Sequence, residues 1–216
     1  MKKMMNKVTL AIIVINVLFS LQGFKDSAWF NKYKFQIGPI AQKDYVRLIS
    51  SGFLHVDFSH LLFNMLTLYF FADVLLINLG TVSFIAIYIV SLLAGNVLTY
   101  LYHKNEMYYS AVGASGAVSG VLFSAILLFP KMSLYLMFIP IPIPAYLVGI
   151  GYLAYTVFGM KKQLGNVGHS AHLGGAVAGI LLTLAIIPNL IQTRSLTLLL
   201  LGIPIVLFFI FGNRIK

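Results

Sequence analysis

Seven runs along the chain, 8–24, 58–79, 82–102, 111–129, 132–158, 170–188 and 196–212, hold between them a single Asp, Glu, Lys or Arg, which is Asp73. A helix needs about 20 mostly apolar residues to cross ~30 Å of hydrocarbon. In lipid, every backbone polar group must be satisfied within the protein, so runs of this kind fold as packed helices. Composition agrees: of 216 residues, 60% are hydrophobic and only 9% charged, against roughly a quarter charged in a soluble domain. A soluble enzyme, a coiled coil and a disordered chain are excluded. The expected fold class is all-α, a polytopic membrane protein. It forms a single domain over 1–216, with a core at about 8–188 and an appended helix at about 196–212, set apart by Pro188 to Ser195.

The formal charge of +10 comes from 15 Lys and Arg against 5 Asp and Glu. These are scattered among short connectors, which fits lipid headgroups and excludes a nucleic-acid surface. Cysteine is absent, so there is neither a disulfide framework nor a thiolate nucleophile. Met1 to Lys7 followed by an apolar run is read as a retained first span, because no clean small-x-small cleavage site follows. Segment 25–57 sets Lys25, Lys32, Lys34, Lys43 and Arg47 among Trp29, Phe30, Tyr33, Phe35 and Tyr45, and reads as a structured loop on the membrane surface. Pro140, Pro142 and Pro144 require the fifth run to kink or to begin after them. With the N-terminus inside, Lys2, Lys3, Lys7, Lys131 and Arg194 are cytoplasmic and the other ten basic residues lie outside. The positive-inside count therefore opposes an orientation that the first helix favours, and leaves it open.

Polar residues inside apolar spans are costly unless partnered or functional. Three clusters stand out. His55 precedes the second span, and His60 and Asn64, four apart, share a helix face within it. Gly113-Ala114-Ser115-Gly116 heads the fourth, and Gly168-His169-Ser170-Ala171-His172-Leu173-Gly174-Gly175 heads the sixth. Helices of alternating direction bring these three heads to one membrane face. His60, Asn64, Ser115 and His172 then share one layer. An imidazole within reach of Ser115 can take its proton, while the Ser115 N–H, His60 and Asn64 supply donors to an oxyanion. A third, triad carboxylate is hard to find: Asp73 lies about 20 Å deeper than His60, Asp57 precedes the helix, and Asp26, Asp44 and Glu106 are in loops. A Ser–His dyad is the simpler reading. Gly113 and Gly116 permit close backbone approach, and Gly175 with Gly179 forms a helix-packing pair. No metal and no cofactor is expected, because neither an intramembrane carboxylate set nor an H-E-x-x-H motif accompanies the histidines.

Arg47-Leu48, Phe53-Leu54-His55 and His60-Leu61-Leu62-Phe63-Asn64-Met65 resemble the second-helix signature of the rhomboid intramembrane serine proteases. Gly113-Ala114-Ser115-Gly116 is similar to their nucleophile motif, and Ala171-His172-Leu173-Gly174-Gly175 to their general-base motif. The resemblance spans roughly 8–188. It implies Ser115 as nucleophile, His172 as general base, His60 and Asn64 in the oxyanion hole with Gly113 and Ala114 beside them, and His55 as a structural brace. It implies a six-helix bundle plus one C-terminal helix, as in many bacterial members. It further implies a multi-pass protein of the cell membrane with a cytoplasmic N-terminus and an outward-facing site. Two positions depart. Ser119 stands where some members carry an aromatic stacked on the base, and Tyr45 where Trp is common.

The expected function is cleavage of transmembrane protein substrates in or near the bilayer. The alternatives are a catalytically silent relative that binds membrane helices and a small transporter. Retention of Ser115 and His172 opposes the first, and the absence of acidic residues from the polar layer opposes the second.

Overall fold

The computed structural model describes residues 5–136, 139–162, 164 and 167–211. Helix α1, Lys7–Lys25, starts where the Asn6 side chain accepts the Val8 N–H. It stops at Asp26, whose carboxylate caps the next helix, α2, Ser27–Tyr33. The rest of the first loop is compact: strand β1, Phe35–Gln36, helices α3, Ile37–Ala41, and α4, Arg47–Ser50, and a 3₁₀ turn at Ser51–Phe53. Arg47 pins it, donating to the Asp44 carboxylate at 2.7 Å and to the carbonyls of Asn31 and Lys34.

Helix α5, Phe58–His103, contains the second and third expected spans in 46 residues. They are divided at Gly80, where φ is 81° and ψ 171°. L-residues with a side chain avoid such a backbone, and glycine adopts it without steric penalty. The two limbs run antiparallel, since His60 on the first and Gly95 on the second both end at the site described below. Strand β2, Ser110–Ala111, pairs antiparallel with β1, with Phe35 opposite Ala111. Helix α6, Ser115–Leu128, is buried from Gly116 to Leu128 and forms the centre of the bundle. Around it pack α5 and α8, His169–Ile186, through Leu68, Leu75, Phe84 and Ile87 on one side and Leu173, Ala176 and Ile180 on the other.

Of the two outcomes expected for the fifth run, a kink at the prolines or a start after them, the structure has the second, with an unexpected hairpin ahead of it. Strands β3, Ser133–Leu136, and β4, Ile139–Pro144, form a hairpin, and helix α7, Ala145–Lys162, begins only after Pro144. The prolines alternate with Ile139, Ile141 and Ile143, and a proline every second residue denies a helix its hydrogen bonds while fitting an edge strand. Residues 137 and 138 of that run lie outside the described residues, as does 212 of the seventh. The fourth run likewise yields a helix only from Ser115, its first residues being spent on β2 and the turn. Short helix α9, Leu190–Thr193, leads to α10, Ser195–Phe211, which packs on α7 with Leu201 against Gly149. Among the described residues, three helices, α1, α5 and α8, are long and apolar enough to cross a membrane. The protein is a helical membrane bundle.

Candidate active site

The heads of α5, α6 and α8 converge. His60, Asn64, Ser115 and His172 all line one cavity of about 970 Å³, as do the charged side chains of Lys34 and Asp57. Ser115 is the first residue of α6 and His172 lies in the first turn of α8; both are partly accessible from the cavity. Among the described residues the two side chains are not hydrogen-bonded to each other, and such bonds are commonly long before substrate binds.

Glycine contacts set the spacing of the three helices. A Cβ on Gly95 would lie 2.6 Å from the Ala171 carbonyl oxygen, and one on Gly116 3.3 Å from the same atom. Gly175 sits against the Gly116 backbone and Gly179 against that of Gly120, too close for any side chain. These contacts fix where Ser115 and His172 stand relative to one another. The pair Gly175 and Gly179 thus meets α6 along one seam, as small residues four apart do where membrane helices approach closely.

The turn before Ser115 is shaped by Gly113, at φ 129°. A side chain there would meet the His60 imidazole, its Cβ falling 2.7 Å from Cε1 and 2.8 Å from Nε2, with the Ser115 Oγ at 3.6 Å. His60 and Ser115 therefore face one point in space. Asp57 caps α5 by accepting the His60 N–H at 2.7 Å, and the Asn64 amide donates to the His60 carbonyl at 3.0 Å. Nδ1 of His60 is buried and has no partner among the described residues. Ala114 is fully buried and precedes Ser115 as the α6 N-cap.

His55 connects the first helix to this turn. Ser20 Oγ donates to the Phe53 carbonyl at 3.0 Å, so it accepts from Nδ1 of His55 at 2.9 Å. Nε2 is then free to accept the Ala114 N–H, over a long 3.4 Å. Only a neutral imidazole with its proton on Nδ1 can make both bonds. Burial, chiefly, and then the neighbouring His60 lower the His55 pKa to about 3, with Asp57 pulling the other way. The neutral form that the geometry requires is thus the one the environment favours.

One residue was missed by sequence reasoning. Tyr152 of α7 lies in the cavity wall with its ring along the His172 imidazole, centroids 5.8 Å apart and planes at 26°. Its hydroxyl is hydrogen-bonded to Ser119 Oγ at 2.8 Å. An aromatic in an apolar span carries no spacing signal that would single it out.

Residues 42–189 match the family model of the Rhomboid domain. The chain is 29% identical over 186 residues to RHOMBOID-like protein 12, mitochondrial, of Arabidopsis thaliana, covering 78% of this chain and 55% of that protein. It is 35% identical over 149 residues to Rhomboid protein 1, mitochondrial, of Saccharomyces cerevisiae, covering 66% and 43%. To Rhomboid protease GluP of Bacillus subtilis it is 28% identical over 142 residues, covering 65% and 26%. The chain spans about half the length, or less, of these curated relatives.

Proposed function

The chain belongs to the rhomboid family, and on that premise we propose that it is an intramembrane serine endopeptidase working by a Ser115–His172 dyad. The observation that supports this reading is the convergence of four polar side chains from three apolar helices on one cavity, with the serine at a helix head. His172 takes the Ser115 proton as Oγ attacks the scissile carbonyl, and returns it to the leaving amine. Negative charge on the carbonyl oxygen falls near the α6 N-terminus, where the Ser115 N–H and the His60 and Asn64 side chains can donate. Similarity to a Bacillus subtilis protein that bears the name of a rhomboid protease supports the same reading.

An intact transmembrane helix keeps its carbonyls in its own hydrogen-bond ladder and offers no attackable bond. Substrates are therefore membrane segments that unwind easily near the boundary, with a small residue before the cut to suit the close backbone around Gly113 and Ala114. We place the protein in the cell membrane, with its N-terminus in the cytoplasm and the cavity opening outward. The deciding experiment incubates purified protein with a model transmembrane substrate and with versions whose helix-breaking residues are replaced by Leu. Ser115→Ala and His172→Ala should each abolish cleavage, and the Leu series should slow it, since Gly or Pro weakens a helix by about 1–3 kcal/mol relative to good helix formers. Cleavage that survives Ser115→Ala defeats the reading. Binding of the substrate without cleavage by the unaltered protein would instead favour a silent membrane-helix binder.

A further inference from the structure

Among the described residues no polar group hydrogen-bonds the His172 side chain, so nothing of the kind that orients a catalytic imidazole in a triad acts on it. What touches the ring is aromatic. Tyr152 lies along one face in an offset-stacked arrangement, and His169 meets it edge-on with centroids 6.3 Å apart. Offset-stacked rings at such separations attract one another beyond their burial. Tyr152 is itself held on two sides: Phe123 packs on it at 5.6 Å, and Ser119 holds its hydroxyl at 2.8 Å. Ser119 stands four residues after Ser115 and so lies on the same face of α6. Contacts therefore run from the nucleophile's helix through Ser119 to the Tyr152 ring on α7, and from there to the imidazole on α8.

We propose that Tyr152 is the positioning residue for the His172 imidazole, and that Ser119 locks the Tyr152 ring to the helix that carries Ser115. The inference rests on the serine-protease reading above. It assigns to α7 an aromatic role that Ser119 cannot fill, and it makes the hydroxyl at Ser119 a tether for that ring.

The test uses the full chain in detergent, with two readouts: steady-state cleavage of a transmembrane substrate, and the rate at which a small fluorophosphonate labels Ser115 without any substrate helix. Tyr152→Leu should lower kcat and the labelling rate together by about tenfold or more, with KM within about twofold, because an imidazole free to rotate misplaces the base. Tyr152→Phe keeps the ring and should stay within about threefold of the unaltered protein. Ser119→Ala should cost a few-fold in labelling, and that cost should vanish in the Tyr152→Phe background, where the tether is already gone. A raised KM with unchanged kcat and labelling in Tyr152→Leu would overturn the proposal, leaving Tyr152 as a groove wall. So would a Phe variant as slow as the Leu variant. If Tyr152→Leu fails to fold, the Ser119→Ala and Tyr152→Phe pair decides alone, and independent losses overturn the proposal. An unaltered protein that neither labels nor cleaves would instead remove the protease reading itself.

Discussion

Gly95→Ala addresses the contact that seats the base. A methyl at Gly95 falls 2.6 Å from the Ala171 carbonyl oxygen, where ordinary contact begins near 3.4 Å, so the first turn of α8 must withdraw from α5 by about 0.8 Å. The obstructing atom is backbone, so no side-chain rotation relieves it. His172 is the next residue after Ala171 and travels with it, while Ser115 is held by its own seam. A misplacement of about 1 Å can cost on the order of 10²-fold in rate. Overpacking costs about 1–3 kcal/mol, of which the better helix propensity of Ala offsets up to about 1. Cleavage in single-turnover conditions should fall roughly 10- to 100-fold, with a loss in thermal stability worth no more than about 2 kcal/mol. Gly151→Ala is the control, because a methyl there meets nothing within 4 Å. It should leave turnover unchanged and the fold equally or slightly more stable. A Gly95→Ala protein that turns over within twofold of the original would show that the α5–α8 contact does not set the catalytic geometry.

His60→Ala and Asn64→Ala should each lower kcat more than they raise KM, by up to ~10²-fold; loss of thermal stability at full specific activity would mark them as packing residues. For His55, whose pKa is lowered to about 3, the unfolded chain binds a proton below about 6.5 that the folded chain refuses. Its contribution to stability is complete above that value and declines as pH falls toward 3, by at most about 1.4 kcal/mol per pH unit. Denaturation between pH 7 and 5 should show this slope, and His55→Asn should flatten it; an unchanged slope refutes the assignment. The chain has no cysteine, so single introduced ones report its orientation. In intact cells an impermeant maleimide should label Tyr108→Cys, at the cavity end, and should reach Lys131→Cys, beyond the far end of α6, only after permeabilisation; the reverse pattern inverts the proposed topology.

Hydropathy made the spans legible because lipid imposes a length and forbids charge, and the gap between runs 58–79 and 82–102 coincides with Gly80. A window of about 20 residues averages over the alternation of Pro140, Pro142 and Pro144, so a hairpin and a helix merged into one run. The three polar heads could be placed at one membrane face from helix direction alone. What periodicity within a helix cannot show is contact between helices far apart in sequence. Ser20 with His55, and Ser119 with Tyr152, are separated by 35 and 33 residues. The first depends on how the loop ahead of α5 folds back on α1, the second on how α6 and α7 cross and on ring orientation. The β1–β2 pairing, from the first loop to the turn ahead of Ser115, depends on the same tertiary closure.

The reversal at Gly80 makes the first limb of α5 a lever. Twenty residues separate Gly80 from His60, about 30 Å of helix. A rotation of only 5° at so permissive a hinge would carry the imidazole through roughly 2.6 Å, nearly the length of a hydrogen bond. The hinge cannot be what aims His60. That duty falls on the buried stripe of Leu61, Met65, Leu68, Ala72 and Leu75 along the limb. Ala72 and Leu75, two and three turns beyond Asn64, thus share in aiming a donor at the tip, and each contact of the stripe resists the swing more strongly the farther it lies from the fulcrum.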